Sequence, residues 1–171
     1  GRDVLPWFKQ ENASGIEIDL AGGKNLMTIA PHYRLAGGQL NFIDKVVVIP
    51  NGGRQGKGYV YAERNIDASD WFFTCHFYQD PVMPGSLGVE AVIEAMQAFA
   101  LQQNLGAHLQ NPHFSHTDNH EVVWMYRGQI APTNAQMYLE VDITNIESTA
   151  EQVVVTGKAS LWKTGMRIYE I

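Results

Sequence analysis

The spacing of apolar and polar positions changes character twice along the chain. Through residues 1–38, Gly15, Gly22, Gly23, Gly37 and Gly38 punctuate short apolar stretches with no sustained helical or strand period. This stretch is expected to be an irregular arm or linker, with the domain proper over residues 39–171. From Leu40 the pattern sharpens. LNFIDKVVVIP reads as a strand closed by the turn cluster Pro50-Asn51-Gly52-Gly53, with GKGYVYAER as its hairpin partner. DASDWFFTCHFY is aromatic and strand-like, and the two prolines of Asp80-Pro81-Val82-Met83-Pro84-Gly85 then break regular structure.

Ser86 to Gln103 is the one long helix expected, with Leu87, Ala91, Ala95, Ala98 and Leu101 at 3.6-residue spacing and no proline among them. EVVWMYRGQIA, QMYLEVDITNIE, EQVVVTGKASLW and RIYEI follow as strands, separated by Pro132-Thr133-Asn134, Ser148-Thr149-Ala150 and Thr164-Gly165. A sheet that long must cover its apolar face, and one helix is available to do it. The expected fold class is α+β, a long central helix against an antiparallel sheet.

Composition narrows the function classes. The chain has 171 residues, 45% hydrophobic and only 18% charged, which excludes a disordered chain. With 12 Lys+Arg against 18 Asp+Glu the formal charge is −6. Neither nucleic acid nor an anionic membrane welcomes that surface. The apolar runs VVVI and AMQAFAL fall far short of the ~20 residues a bilayer span needs, so no membrane span is expected. No signal peptide is visible, and the single Cys75 suits a reducing, cytoplasmic compartment. The first residue is Gly rather than Met, which reads as a processed product or a piece of a longer chain.

The chemistry concentrates in residues 75–94. His76 closes an apolar stretch, a Pro/Gly turn follows, and Glu90 falls in the first turns of the helix. An imidazole takes and returns a proton near neutral pH. A carboxyl on an apolar helix face is held protonated and able to donate. Gly85, without a side chain, lets a ligand oxygen approach a backbone N–H at the positive end of the helix. The set suits removal of a proton α to a carbonyl with loss of a β-leaving group. A structural histidine beside a dipole-complementing glutamate accounts for the same spacing, and spacing alone does not separate the two readings.

The segment HFYQDPVMPGSLGVEA resembles the active-site segment of the β-hydroxyacyl-acyl-carrier-protein dehydratases. Its nearest likeness is the branch of 3-hydroxydecanoyl-carrier dehydratase/isomerases, and in flavour the dehydratase domains of polyunsaturated fatty acid synthases. The likeness extends through DASDWFFTC and more loosely from Leu40 to Ile171. It implies a hot-dog fold, a long helix wrapped by an antiparallel sheet. By resemblance His76 is the base and Glu90 the acid, where the isomerising branch carries Asp. Gly85 is the backbone donor to the thioester carbonyl, and the Val82 carbonyl holds the second imidazole nitrogen. Phe77, Pro84, Leu87 and Glu94 are the implied substrate contacts, and a cis His76–Phe77 peptide is implied as well.

The reaction so implied is dehydration of a (3R)-3-hydroxyacyl thioester on acyl carrier protein to a trans-2-enoyl thioester, with no cofactor and no metal. The His and the acid of one site are implied to come from opposite protomers, of a homodimer or of a pseudo-dimer of two hot-dog units. A hot-dog thioesterase and a silent half that binds acyl chains are the alternatives.

Two departures qualify the resemblance. Glu94 stands where the family carries Gln; Glu90, Glu94 and Gln97 share one helix face, where like-charge repulsion from Glu94 would raise the pKa of Glu90, with Glu94 pointing to solvent the competing reading. The hairpin NIESTAEQ is acidic or neutral where carrier-binding relatives are basic, which points to a carrier tethered in the same polypeptide. Arg64, Arg127, Lys158 and Lys163 remain for a smaller basic patch, with plain surface charge the competing reading. His108, His113, His116, His120 and Asp118 crowd one loop without a tight metal-ligand spacing. Cys75 is read as structural, and Trp71, Phe72, Phe73, Phe77 and Tyr78 as mostly core with one or two lining an acyl tunnel.

Overall fold

A computed structural model describes residues 5–117 and 120–171. After a short helix α1 (Trp7–Gln10) come strands β1 (Ile16–Asp19), β2 (Thr28–Ala30), β3 (Tyr33–Arg34), β4 (Lys45–Ile49) and β5 (Tyr59–Asn65). The long helix α2 (Gly85–Gln102) precedes β6 (Met125–Tyr126), β7 (Gln136–Ser148), β8 (Val153–Lys163) and β9 (Met166–Glu170). One antiparallel sheet runs in the order β1-β4-β5-β7-β8-β9-β6, and β2 pairs with β3 in a separate hairpin. No helix among the described residues is long and apolar enough to cross a membrane.

Helix α2 forms because its apolar residues fall on one stripe, and that stripe is what it buries. Ala91, Ala95, Ala98 and Leu101 are in the core, with Leu87 packed at its margin. Small alanines let the helix lie close to Val46, Val48, Val60, Leu139, Val141 and Leu161 of the sheet. Gly88 allows the closest approach: a Cβ there would sit 2.1 Å from the Tyr169 ring. Alternation along β4, β5, β7 and β8 gives this face its aliphatic residues. The opposite face carries a second cluster, Val47, Tyr59, Tyr61, Tyr138 and Trp162, with Trp7 and Phe8 of α1 packed on it.

Part of the glycine-rich stretch is well tied to the sheet. β1 pairs residue for residue with β4, from Ile16 opposite Val48 to Asp19 opposite Lys45. The Trp7 N–H donates to Glu140 Oε2 at 2.7 Å, and Tyr59 Oη donates to the same oxygen at 2.5 Å. Leu20, Tyr33 and Leu35 are in the core.

One expected strand is absent. Trp71–Thr74 is a single 3₁₀ turn, not a strand, and His76 therefore follows a turn. The reason is local. Asp67 Oδ1 accepts from both the N–H and the Oγ of Ser69, and the Phe73 N–H bonds the Asp70 carbonyl. These turn bonds compete with any ladder. Trp71, Phe77 and Tyr78 are exposed, leaving only Phe72 and Phe73 of the five aromatics in the core.

Candidate active site

The turn at Trp71–Thr74 delivers His76, whose N–H bonds the Phe72 carbonyl at 3.1 Å. The peptide from His76 to Phe77 is cis. A tight loop follows, closed by reciprocal bonds between Phe77 and Asp80 at 3.2 and 3.3 Å, with Gln79 at a φ of 60°. The chain then returns alongside itself, and the Val82 N–H donates to the His76 carbonyl at 2.8 Å. Val82 and Met83 are buried, and the Met83 N–H bonds the Ile130 carbonyl. The loop is thus fixed to the body of the fold immediately before α2 begins.

This geometry settles the tautomer of His76. Its Nδ1 lies 3.0 Å from the Val82 carbonyl oxygen. A carbonyl only accepts, so Nδ1 carries the hydrogen and the neutral ring's lone pair is on Nε2. The Phe77 ring, 60% exposed, lies against the imidazole at 3.8 Å between centroids. His76 is half-buried, so its free nitrogen remains reachable.

Pro84 is the N-cap of α2, and no side chain caps the helix. The first N–H groups of a helix lack intrahelical partners and carry the positive end of its dipole. Gly85 opens the helix, and a Cβ there would meet the Trp124 ring at 2.9 Å and the Tyr126 ring at 3.1 Å. Only glycine leaves the backbone accessible under those rings. Leu87 donates its N–H to the Pro84 carbonyl at 3.0 Å and packs toward the core. Glu90, half-exposed one turn further on, makes no hydrogen bond or salt bridge among the described residues. Within one chain no hydrogen bond joins it to His76.

Glu94 differs from the other site residues. It is 3% exposed, and its Oε2 accepts the Phe42 N–H at 2.7 Å while Oε1 has no partner. Burial pushes its carboxyl up to about 8; Glu90 and Asp44 add to the rise, and the Phe42 N–H and Arg64 oppose it. Arg64 is not a surface charge. It pairs with Asp70 at 2.5 Å, bonds the Asn41 carbonyl at 2.9 Å, and sits inside with its Nε unpartnered. Arg127 pairs with Glu170, and Lys163 bonds the Gln129 carbonyl.

The histidine-rich loop is held by carbonyls: His108 Nε2 lies 2.7 Å from the Thr149 oxygen and His113 Nδ1 3.1 Å from the Asn111 oxygen. No group of three His, Cys, Asp or Glu that could hold a metal ion occurs among the described residues, and Asp118 lies outside them. Cys75 is exposed, its Sγ 3.6 Å from the Phe72 carbonyl. Sequence reasoning passed over Trp124 and Tyr126. Their segment reads as an ordinary strand, and the signal was available in five large apolar residues in a row, too many for a half-buried strand.

A single long helix lying on an antiparallel sheet, with a histidine loop at the helix N-terminus, defines a hot-dog protein. The comparisons agree. Residues 35–171 match the FabA-like domain, and the chain belongs to that family of hot-dog dehydratases. It is also 36% identical over 183 aligned residues to one of the polyunsaturated fatty acid synthase subunits of Thraustochytrium sp. (strain ATCC 26185 / S-3). That alignment covers 100% of this chain and 12% of the relative, so the chain spans about an eighth of that protein's length.

Proposed function

We propose that the chain dehydrates 3-hydroxyacyl thioesters carried on acyl carrier protein, giving trans-2-enoyl thioesters. The observation that carries this reading is the His76 ring, held through Nδ1 by the Val82 carbonyl with Nε2 left as a base beside an uncapped helix N-terminus. Nε2 removes the α-proton, and the electron pair moves toward the thioester carbonyl. The Gly85 N–H and the helix dipole behind it stabilise the enolate-like oxygen. As the pair returns to form the double bond, the C–O bond to the β-hydroxyl breaks. Glu90 gives its proton to that oxygen, which leaves as water. Transfer of a proton from imidazolium to the Glu90 carboxylate, directly or through water, resets the site.

We infer that the acid reaching His76 belongs to a second hot-dog unit, in a homodimer or a pseudo-dimer. In support, β6 is the sheet's end strand, paired among the described residues only to β9, and Val122, Val123, Trp124, Met125 and Tyr126 are all exposed there. An open edge with a continuous apolar run invites strand pairing. Trp124 and Tyr126 also lie over Gly85, so pairing at this edge would fall beside the reacting groups. The match to part of a much longer synthase chain supports a carrier within the same polypeptide or complex.

The test is hydration of trans-2-enoyl thioesters by wild type and His76→Ala. Loss of general-base catalysis lowers turnover about 10²–10⁴-fold. Equal turnover by both proteins would remove His76 from the mechanism.

A further inference from the structure

We propose that the groove between the β2–β3 hairpin and the segment following α2 binds a phosphate ester. The groove holds about 370 Å³ and is lined by His32, Arg34, Leu35, Gln97, His113 and Phe114, among others. Small-molecule sites start at roughly 300 Å³. Its walls are built rather than accidental. Tyr33, between His32 and Arg34, turns inward and donates its hydroxyl to the Ala100 carbonyl at 3.0 Å. Its ring packs on Phe114 at 5.1 Å between centroids. With Tyr33 anchored, its strand neighbour Arg34 is directed outward, where it lines the groove.

The charge is what identifies the ligand. The chain carries 18 acidic side chains against 12 basic, yet among the described residues no carboxylate lines this groove. Arg54, Arg64, Arg127 and Arg167 each pair with an acidic residue. Among the described residues Arg34 is the arginine with no such pair. A guanidinium fork, the His32 imidazole and the Gln97 amide offer more donors than the two oxygens of a carboxylate use, and they match the oxygens of a phosphate. Leu35 and Phe114 supply an apolar surface alongside for the rest of the molecule.

The site is distinct from the reacting groups. Gln97 lies seven residues along α2 from Glu90, about 10 Å at the helical rise. Pro31, His32 and Arg34 precede the FabA-like region, which begins at residue 35, so the groove joins residues outside that region to the helix within it.

Calorimetry on the 171-residue chain tests this without any activity readout. Three probes are compared at low salt: 4′-phosphopantetheine, pantetheine lacking the phosphate, and adenosine diphosphate. Saturable binding of a phosphorylated probe is expected, with none of pantetheine. Preference for 4′-phosphopantetheine identifies a carrier's prosthetic arm as the source, and preference for the nucleotide a free phosphorylated metabolite. Arg34→Ala is expected to weaken binding about tenfold or more, as loss of a charge-assisted contact does. Gln97→Ala, in the opposite wall, weakens it severalfold, and Lys57→Ala, outside the groove, leaves it unchanged. Absence of saturable binding by either phosphorylated probe, equal binding of pantetheine, or an Arg34→Ala chain that binds like wild type would overturn the proposal. Because the readout is binding, a failed dehydratase assay leaves it standing.

Discussion

At the scale of single residues, Glu94 has the largest consequence for stability. Its carboxyl is raised from an ordinary 4.5 to about 8, mainly by burial. The folded chain therefore holds a proton that the unfolded chain releases between these values. Stability associated with this group is complete below about pH 4.5, falls as pH rises, and levels off above about 8. Glu94→Gln keeps an oxygen for the Phe42 N–H and removes the titration. Urea unfolding at pH 5, 7 and 9 should show the variant gaining on wild type as pH rises, by the order of a few kcal/mol at pH 9. Parallel profiles would mean that the carboxyl is already ionised in the folded chain at pH 5. The sequence placed Glu90, Glu94 and Gln97 on one helix face, and of the three only Glu94 is buried. The partner it meets there is a backbone N–H 52 residues away, which no local pattern records. The Val82 contact was implied only by the family resemblance, whereas His76 and Gly85 were legible for the opposite reason. Their relation lies within a ten-residue loop, where Pro and Gly leave the chain little choice of path.

At the scale of elements, α2 was the clearest feature because its period and its burial coincide. Its expected start, Ser86, differs from the observed Gly85 by one residue. The long strands β7 and β8 were equally plain. The 71–74 turn was missed because aromatic content resembles strand propensity, and that propensity depends on context. Contact between α2 and β9 rests on Gly88, and this gives a sharp test. Alanine is the better helix former by about 1 kcal/mol. At position 88, however, its methyl would meet the Tyr169 ring, itself packed against Trp124 at 5.6 Å and Tyr126 at 5.1 Å. Overpacking against such a ring costs about 1–3 kcal/mol. Gly88→Ala should therefore lower the urea midpoint despite its better propensity, and an unchanged or raised midpoint would show that β9 yields freely.

At the scale of the whole molecule, the sheet is asymmetric. Its β1 end is made by the glycine-rich stretch, joined to the body by the β1–β4 ladder, and its β6 end is short, exposed and apolar. Proteins blunt open edges with charge or cover them; here Val122 to Tyr126 carry no charged side chain at all. The proposed mechanism asks for a second unit at this same end, because His76 and Glu90 are not joined within one chain. Sedimentation should then report a species of twice the 19.1 kDa chain mass. Val123→Lys puts a charge on an exposed edge side chain, where it costs the isolated fold little. In an assembly that pairs through this edge, the buried, unpaired ammonium disfavours association by several kcal/mol. The variant should sediment as a monomer with an unchanged unfolding midpoint, and its enoyl-thioester hydration should fall in proportion to the dimer lost. A Val123→Lys monomer that hydrates at the wild-type rate would show that one chain supplies both proton-transfer groups, and the two-unit site would have to be abandoned.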